Sequence, residues 1–323
     1  MKALRSGLIL GAMVLVILVS PQCNITPSLN EIDNFQTIDL RESFGDIPLN
    51  DPESFTYNGI NSGLYPWGNQ LISNNYKTNY INTSKAIRPL NSSGLQAKDG
   101  KIAILGIGGS NQFIVYNGIK NAWLNDVGFG KKLVFINAGT GGKDLPDIID
   151  PNASYWSRIK KILDSNFVTA SQIQIVFCIE DDFKNSDTSF QRAYSIRDQY
   201  INLLNTITIK YPNVKLIFIG DRGYNGYATL PKYNEPRGYL NGWAVKFLVE
   251  DYVNGMLPQY PFINWLEYYW ANGAEPRWDG LTYLQSDFTA PEYTHLTPEK
   301  ANALGLVTHG KLKQDAGAMY WYK

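Results

Sequence analysis

Four short apolar runs between residues 101 and 220 constrain what this chain can fold into. Each run is rich in β-branched residues and ends in glycine, asparagine or an isoleucine before an acid, and segments with helical spacing lie between them. Continuous apolar strands of this kind are typical of a parallel sheet that helices cover on both faces. The pattern predicts a three-layer α/β domain with functional residues where strands end in loops. The runs are Lys101–Gly106, Lys132–Asn137, Gln172–Ile179 and Val214–Gly220.

Amphipathic stretches predict the main helices. These stretches are Tyr155–Leu163, Phe190–Tyr211, Tyr239–Val253 and a C-terminal segment from Thr297, with Pro298 in its first turn. Residues 24–97 are instead rich in Asn, Ser, Pro and Gly and show little periodicity. We therefore expect an irregular extension with a strand or two over residues 24–97, and the main domain over residues 98–323.

Residues 1–23 have the pattern of an export signal. Lys2 and Arg5 give a basic start, and Gly7–Val19 is an uninterrupted apolar run that is short for a membrane span. Cys23 stands where a lipidated cysteine could follow the signal, although Pro21 and Gln22 are not the small residues that lipoprotein processing prefers. The sequence predicts an extracytoplasmic protein, either released or lipid-anchored at Cys23.

Charge and metal-ligand content exclude two classes of function. The chain has 29 basic and 29 acidic residues, so it carries no electrostatic footprint for nucleic acid. Its two cysteines and two histidines leave no ligand set for zinc, and Cys178 falls in an apolar run where a buried thiol is expected. We expect no metal, no cofactor and no disulfide framework. Frequent aromatic residues suit a protein that meets carbohydrate, or tyrosines that pack at sheet and loop edges.

Ser110 and His295 are the candidates for a catalytic pair. Ser110 follows the first strand within Gly106–Gln112, where its hydroxyl would project beside free helix N–H groups, or would simply cap that helix. His295 follows Glu292 by three residues, which suits either a held general base or a solvated histidine. The second strand ends in the glycine-rich turn Asn137–Asp144, where backbone can approach a ligand closely.

The order of these motifs resembles the SGNH, or GDSL-type, hydrolase superfamily. A Gly-x-Ser-Asn turn, an Asn-x-x-x-x-Gly turn and an acid-x-x-His follow one another along an α/β rhythm. The Gly-x-Ser-Asn form is closer to carbohydrate O-acetylesterases than to the Gly-Asp-Ser branch. The resemblance covers residues 101–323 and implies the flavodoxin-like SGNH hydrolase fold, an α/β/α sandwich around a mainly parallel five-stranded sheet. Other segments similar to secreted bacterial members are Tyr211–Leu216, Arg222–Thr229, Asn234–Pro236, Gly242–Leu248 and Asp279–Tyr283.

The resemblance also implies a role for each motif residue. Ser110 would be the nucleophile and His295 the general base, while Glu292 stands where the family usually has an Asp that orients the imidazole. Asp287 is an alternative to Glu292. The backbone N–H groups of Ser110 and Gly142 would form the oxyanion hole, in which one donor can be worth about 3 kcal/mol of barrier.

One motif departs from the family pattern. The third motif usually supplies an asparagine amide after the third strand, but here Asp181 falls at that place, and an ionised carboxylate cannot donate to an oxyanion. Asn185 could reach in from the same loop, or the acidic cluster could be a solvated loop. Candidate substrate contacts, with loop anchoring as the alternative for those after the fourth strand, are Asn111, Asn137, Asp181, Arg222, Tyr224 and Tyr227.

These observations predict three alternative functions. The first is an exported serine esterase that removes a small acyl group, acetyl above all, from a carbohydrate or small-molecule ester. The second is a carbohydrate-binding protein that keeps the fold but has lost efficient catalysis, as the altered third motif and the Glu in place of Asp suggest. The third is a lipid esterase, for which activity would rise with acyl chain length.

Overall fold

The computed structural model describes residues 41–43, 45–126 and 132–322. The predicted export signal, with Cys23, lies outside these residues. Within them, no helix is long and apolar enough to cross a membrane. In chain order the strands and helices are β1 (Arg41–Glu42), β2 (Phe55–Tyr57), β3 (Ile60–Asn61), α1 (Asn74–Lys85), β4 (Ile102–Gly108), α2 (Ser110–Leu124), β5 (Leu133–Asn137), α3 (Leu145–Ile148), α4 (Ser154–Ser165), β6 (Ile173–Ile179), α5 (Gln191–Lys210), β7 (Leu216–Gly220), α6 (Arg237–Val253), β8 (Phe262–Trp265) and α7 (Pro298–Gln314).

Five strands form the central sheet, in the order β5-β4-β6-β7-β8. Every neighbouring pair in this sheet is parallel. Numbered along the chain, this is the 2-1-3-4-5 order of flavodoxin-like folds, whose ligands bind where the strand order reverses, beside the first strand. The predicted α/β architecture with a mainly parallel five-stranded sheet is confirmed.

Both faces of the sheet are covered, which makes the three layers. Alternate side chains of β4 enter two separate cores, with Leu105 and Ile107 on one face and Ile102 and Ile104 on the other. The first core contains buried residues of α4, α5 and α6, and the second contains those of α1, α2 and α7. Every residue of β4 and β6 is buried, which explains why these strands are continuous apolar runs rather than alternating ones.

The segment before the sheet contains one helix that the sequence analysis missed. We predicted only an irregular segment with a strand or two, but α1 begins after Ser73, whose hydroxyl accepts a hydrogen bond from the Tyr76 N–H. Tyr76 and Tyr80, one turn apart, pack their rings on Phe262 of β8. Apart from Ile81, the rest of α1 is polar and largely exposed, so two tyrosines one turn apart were a weak helical signal.

Helices α2 and α7 pack unusually closely. A candidate catalytic residue lies at the start of α2, and the other lies just before α7. A β-carbon at Gly118 of α2 would come within 2.1 Å of the Ala301 carbonyl oxygen, and one at Gly305 of α7 within 2.1 Å of the Gly118 carbonyl carbon. The two glycines therefore let the backbones meet. Because Ser110 begins α2 and α7 begins just after His295, this contact holds the two ends of the site together.

Candidate active site

Ser110 lies at a sharp turn between β4 and α2. Gly108 has a φ of 140°, and its N–H donates to the buried Tyr155 hydroxyl at 2.8 Å. A β-carbon on Gly109 would come within 2.6 Å of the Lys143 carbonyl oxygen, so the turn has no room for a larger residue. Ser110 is the first residue of α2, where free N–H groups and the helix dipole favour negative charge.

His295 lies on the loop before α7, and its ring meets Ser110. The His295 Nε2 is 2.8 Å from the Ser110 Oγ. The loop is fixed by a bridge between Phe288 and Leu296 and by a 2.8 Å hydrogen bond from the Thr289 N–H to the His295 carbonyl. The structure thus brings together the two residues that the sequence singled out, at a distance suited to proton transfer.

The other ring nitrogen of His295 is not bonded to an acid. Within the described residues, Nδ1 has one partner, the Thr294 Oγ1 at 3.3 Å. Glu292 is exposed at the reversal of the loop, and its backbone carbonyl accepts the Thr229 N–H. Asp287 is paired instead with Lys300 at 3.0 Å. Among the described residues, therefore, neither Glu292 nor Asp287 is hydrogen-bonded to the imidazole, and Thr294 is the side chain beside Nδ1.

The surroundings of His295 keep its ring neutral. Partial burial lowers the pKa of His295 from its ordinary value of 6.5, and the positive charge of Arg222 lowers it further. The negative charge of Glu292 opposes both effects and raises that pKa. At neutral pH the ring is therefore unprotonated, and its Nε2 can accept the Ser110 proton when Nδ1 carries the ring hydrogen.

Gly142 lies in the turn after β5 and faces the same cavity as Ser110. Its φ is 72°, and a β-carbon there would touch nothing within 4 Å, so the backbone conformation rather than crowding requires glycine. Ser110 and Gly142, the two residues expected to supply backbone N–H groups to an oxyanion, therefore line one cavity.

Asp181 occupies the third-motif position and is fully engaged by arginines. Its Oδ1 accepts from Arg192 Nη2 at 2.8 Å and its Oδ2 from Arg222 Nη1 at 3.0 Å. Burial alone would raise the pKa of Asp181, but the two guanidinium charges outweigh it and lower that pKa. Asp181 is thus an ionised carboxylate that cannot donate a hydrogen bond.

Glu180 is a buried acid that the sequence analysis did not single out. Burial raises the pKa of its carboxyl well above the ordinary range. Its Oε1 accepts the Asp181 N–H at 3.0 Å, and its Oε2 has no partner among the described residues. Glu180 borders the cavity, and its carboxyl lies against Gly109 in the serine turn.

Three of the remaining candidate substrate contacts have structural roles. The Asn137 amide donates at 2.8 Å to both the Phe113 carbonyl and the Asn117 side chain, which ties β5 to α2. Tyr224 packs on Tyr227, whose hydroxyl donates to the Tyr283 carbonyl. These contacts favour an anchoring role for Asn137, Tyr224 and Tyr227, and none of the three lines the cavity at Ser110.

Asn185 also stays out of the cavity. Its backbone carbonyl accepts from Arg192 at 2.9 Å and its side chain from the Asp187 N–H at 2.9 Å. The acidic stretch is therefore an ordered, arginine-bound loop and not a solvated one. Asn111, Asp181 and Arg222, by contrast, do line the cavity.

The cavity at Ser110 is small and polar. Its volume is about 110 Å³, and it is lined by Ser110, Asn111, Gly142, Lys143, Ile179, Glu180, Asp181, Phe183, Arg222, Tyr233, Thr294 and His295. A wider groove of about 460 Å³ begins on the other side of His295, between α2 and the start of α7. Among the described residues, no cluster of three or more His, Cys, Asp or Glu side chains is arranged to hold a metal ion.

Comparison with known proteins gives weak structural similarity only. No model of a protein family matches the sequence, and no curated protein matches it. A carbohydrate acetylesterase from Sinorhizobium meliloti matches over 66% of this chain and 99% of its own, with 14% identity and a TM-score of 0.40. An inhibitor-bound aryl esterase from M. smegmatis matches over 67% and 100%, with 12% identity and a TM-score of 0.38.

A lipopolysaccharide acetyltransferase periplasmic domain from Salmonella ser. Paratyphi A matches over 73% of this chain and 95% of its own, with 12% identity and a TM-score of 0.39. At such identities and TM-scores, nothing about substrate or reaction passes from those proteins to this chain.

Proposed function

We propose that the protein is an extracytoplasmic serine esterase of the SGNH type that removes a small acyl group from a carbohydrate or small-molecule ester. The observation that carries this proposal is the 2.8 Å contact between the Ser110 Oγ and the His295 Nε2, at a cavity that Ser110 and Gly142 both line. A nucleophile, a neutral base and an anion-binding turn in one place are the parts that acyl transfer needs.

The reaction proceeds in two halves. In the first, the Ser110 Oγ bonds to the ester carbonyl carbon while its proton passes to His295 Nε2, and the carbonyl electron pair becomes an oxyanion that accepts the N–H groups of Ser110 and Gly142. The intermediate collapses, the alcohol leaves with the proton from His295, and Ser110 stays acylated. In the second half, water repeats these steps and releases the acid.

The size of the cavity supports a small acyl group. Its volume of about 110 Å³ is about a quarter of that of the groove beyond His295, which suits an acetyl group and not a long acyl chain. The groove of about 460 Å³ beyond His295 is wide enough for the alcohol part of the ester. The small volume of the cavity at Ser110, compared with the groove beyond His295, argues against a lipid esterase.

Export is supported by the sequence, and a carbohydrate substrate is supported by features of the structure. The basic start and apolar run of residues 1–23 support an extracytoplasmic location, with Cys23 as the point of lipid attachment if there is one. Polar lining at the cavity and exposed aromatic residues such as Trp67 and Trp278 support a hydroxyl-rich substrate.

Ester kinetics test the proposal. We expect turnover of 4-nitrophenyl acetate, a steep fall from acetate through butyrate to octanoate, and loss of turnover in Ser110→Ala. Rates that rise with chain length would favour the lipid esterase. A folded protein that binds glycans, with Ser110→Ala and the unchanged protein equally inactive, would favour the carbohydrate-binding alternative.

A further inference from the structure

The oxyanion hole of this site lacks the side-chain amide that a third motif of the SGNH type supplies. Asp181 stands there, and each of its carboxylate oxygens already accepts a hydrogen bond from an arginine. Asp181 therefore positions the guanidinium groups of the two arginines and does not donate a hydrogen bond to the substrate. The question is then which group near Asp181 can donate into the cavity.

Arg222 is the group near Asp181 that can donate a hydrogen bond into the cavity. Of the two arginines on Asp181, Arg222 lines the cavity with Ser110 and His295, whereas Arg192 does not line it and is 0% exposed. The Arg192 Nη1 and Nη2 also donate to the Asn185 and Asp182 carbonyls, respectively. Arg192 therefore fixes Asp181 from behind, and Arg222 reaches the reaction space.

The Arg222 guanidinium has N–H groups that are not hydrogen-bonded to any described residue. Its Nη1 bonds to Asp181, while neither its Nε nor its Nη2 is bonded to any described residue. The side chain is only 6% exposed, and its backbone N–H is held at 3.0 Å by the Asn241 side chain. A buried cation with unused N–H groups beside a nucleophile is suited to negative charge that appears during reaction.

The effect of Arg222 on His295 shows that its charge acts at the reacting atoms. The positive charge lowers the pKa of His295 in the resting protein, which by itself makes the imidazolium harder to form. An oxyanion between the Arg222 guanidinium and the His295 imidazolium would offset the repulsion between these two cations, because it attracts both. Arg222 thus disfavours a protonated ring before attack and favours the charge-separated intermediate after it.

We infer that Arg222, held in position by Asp181, donates the third hydrogen bond to the oxyanion of the tetrahedral intermediate. This inference rests on the proposed esterase function. Asp181 is a positioning residue, and Arg222 contacts the reacting oxygen. Attack by Ser110 then moves the carbonyl electron pair onto an oxygen bound by two backbone N–H groups and one guanidinium, and collapse returns that pair to the carbonyl.

The test compares a neutral and an anionic ester in Arg222 variants. The substrates are 4-nitrophenyl acetate and the acetyl ester of 4-hydroxybenzoate. The variants are Arg222→Gln, Arg222→Lys and the control Arg88→Gln, which removes a guanidinium that donates to the Ile87 carbonyl. We expect Arg222→Gln to lower kcat for both esters by the same factor, about 10²- to 10³-fold as for other oxyanion donors, and Arg222→Lys to lose less. Arg88→Gln keeps the full rate.

Two further readouts separate an oxyanion donor from a structural residue. Phenylboronic acid forms an anionic tetrahedral adduct with an active serine, so its affinity should fall in Arg222→Gln in proportion to kcat/KM. The acid limb of the kcat/KM profile should also move to higher pH in Arg222→Gln, because the pKa of His295 is released from the arginine charge. Asp181→Asn should lower kcat, and the double variant should lose little more than Arg222→Gln alone.

The outcomes separate this inference from the proposed function. Loss of activity in Ser110→Ala with full activity in folded Arg222→Gln overturns the inference alone. A fall confined to the anionic ester also overturns it, and assigns Arg222 to a substrate carboxylate. Equal inactivity of the unchanged protein and Ser110→Ala overturns both. Should Arg222→Gln fail to fold, Arg222→Lys and Asp181→Asn decide, since unchanged kcat and boronate affinity in both would contradict the inference.

Discussion

The His295 Nε2 lies 2.8 Å from the Ser110 Oγ although the two residues are 185 positions apart. The sheet positions Ser110 at the carboxyl end of β4. The packing of α7 on α2 positions the loop that contains His295. The pair therefore depends on a helix contact that lies outside the cavity.

Close packing of α2 and α7 is predicted to be necessary for activity. Gly305→Ala would place a β-carbon 2.1 Å from the Gly118 carbonyl carbon, so the helices must separate. We expect a loss of about 1–3 kcal/mol in the free energy of unfolding, together with a marked fall in turnover. Urea unfolding and ester kinetics measure the two effects. Gly310→Ala is the matched control in the same helix, because its β-carbon meets nothing within 4 Å. A Gly305→Ala protein as stable and active as Gly310→Ala would refute the helix-contact explanation.

The pH profile of kcat/KM should have its acid limb below pH 6.5. The reason is that burial and then the Arg222 charge lower the pKa of His295, so its neutral form persists to lower pH than that of an ordinary histidine. Glu292 raises the same pKa, so Glu292→Gln should move the limb to still lower pH. Steady-state kinetics of 4-nitrophenyl acetate from pH 4 to 8 give both values. A limb above that of free imidazole, or a shift to higher pH in Glu292→Gln, would be inconsistent with this environment.

Thr294, and not Glu292, should matter for the orientation of the imidazole. Thr294→Val removes the Oγ1 that lies 3.3 Å from His295 Nδ1. We expect kcat to fall about 2- to 10-fold, the worth of one ordinary hydrogen bond, while Thr294→Ser keeps most of the rate. Glu292→Gln and Asp287→Asn should change kcat at the pH optimum less than Thr294→Val does. A collapse of activity in Glu292→Gln with no effect in Thr294→Val would restore the acid to the triad.

Asn137 should contribute to stability and not to substrate affinity. Its amide donates to the Phe113 carbonyl and to Asn117 and accepts the Gly139 N–H, so Asn137→Ala removes a hydrogen-bond partner from three groups and should lower the melting temperature by several degrees. KM should not change. Asn74→Ala, at the exposed start of α1, is the control for loss of an asparagine. A raised KM with unchanged stability would return Asn137 to the substrate site.

The sequence predicted the parts of this protein that depend on local pattern. Apolar runs fix buried strands, and glycines after them fix turns, so the sheet and the placement of Ser110 followed directly. Helix α1 was missed because only Tyr76 and Tyr80 mark its buried side, and their partners on β8 are far along the chain. Periodicity cannot show such a partner.

The electrostatics of the site were less predictable than its position. Spacing suggested Glu292 as the partner of His295, but a reversal of the loop turns its backbone toward Thr229 and leaves Thr294 beside the ring. Likewise, Asp181 was expected to repel an oxyanion, whereas two arginines from distant segments bind it. Which charges meet is set by tertiary packing, and the sequence order does not contain that information.

The most direct measurement of the central claim is the position of a covalent adduct. The protein is treated with a fluorophosphonate at neutral pH, and intact-mass and peptide mass spectrometry locate the label. We predict one adduct per chain, on Ser110, which is absent in Ser110→Ala and forms much more slowly in His295→Gln. Two results would contradict a serine nucleophile activated by His295. One is a protein that stays folded in the reaction but carries no label on Ser110, and the other is a label that persists in Ser110→Ala.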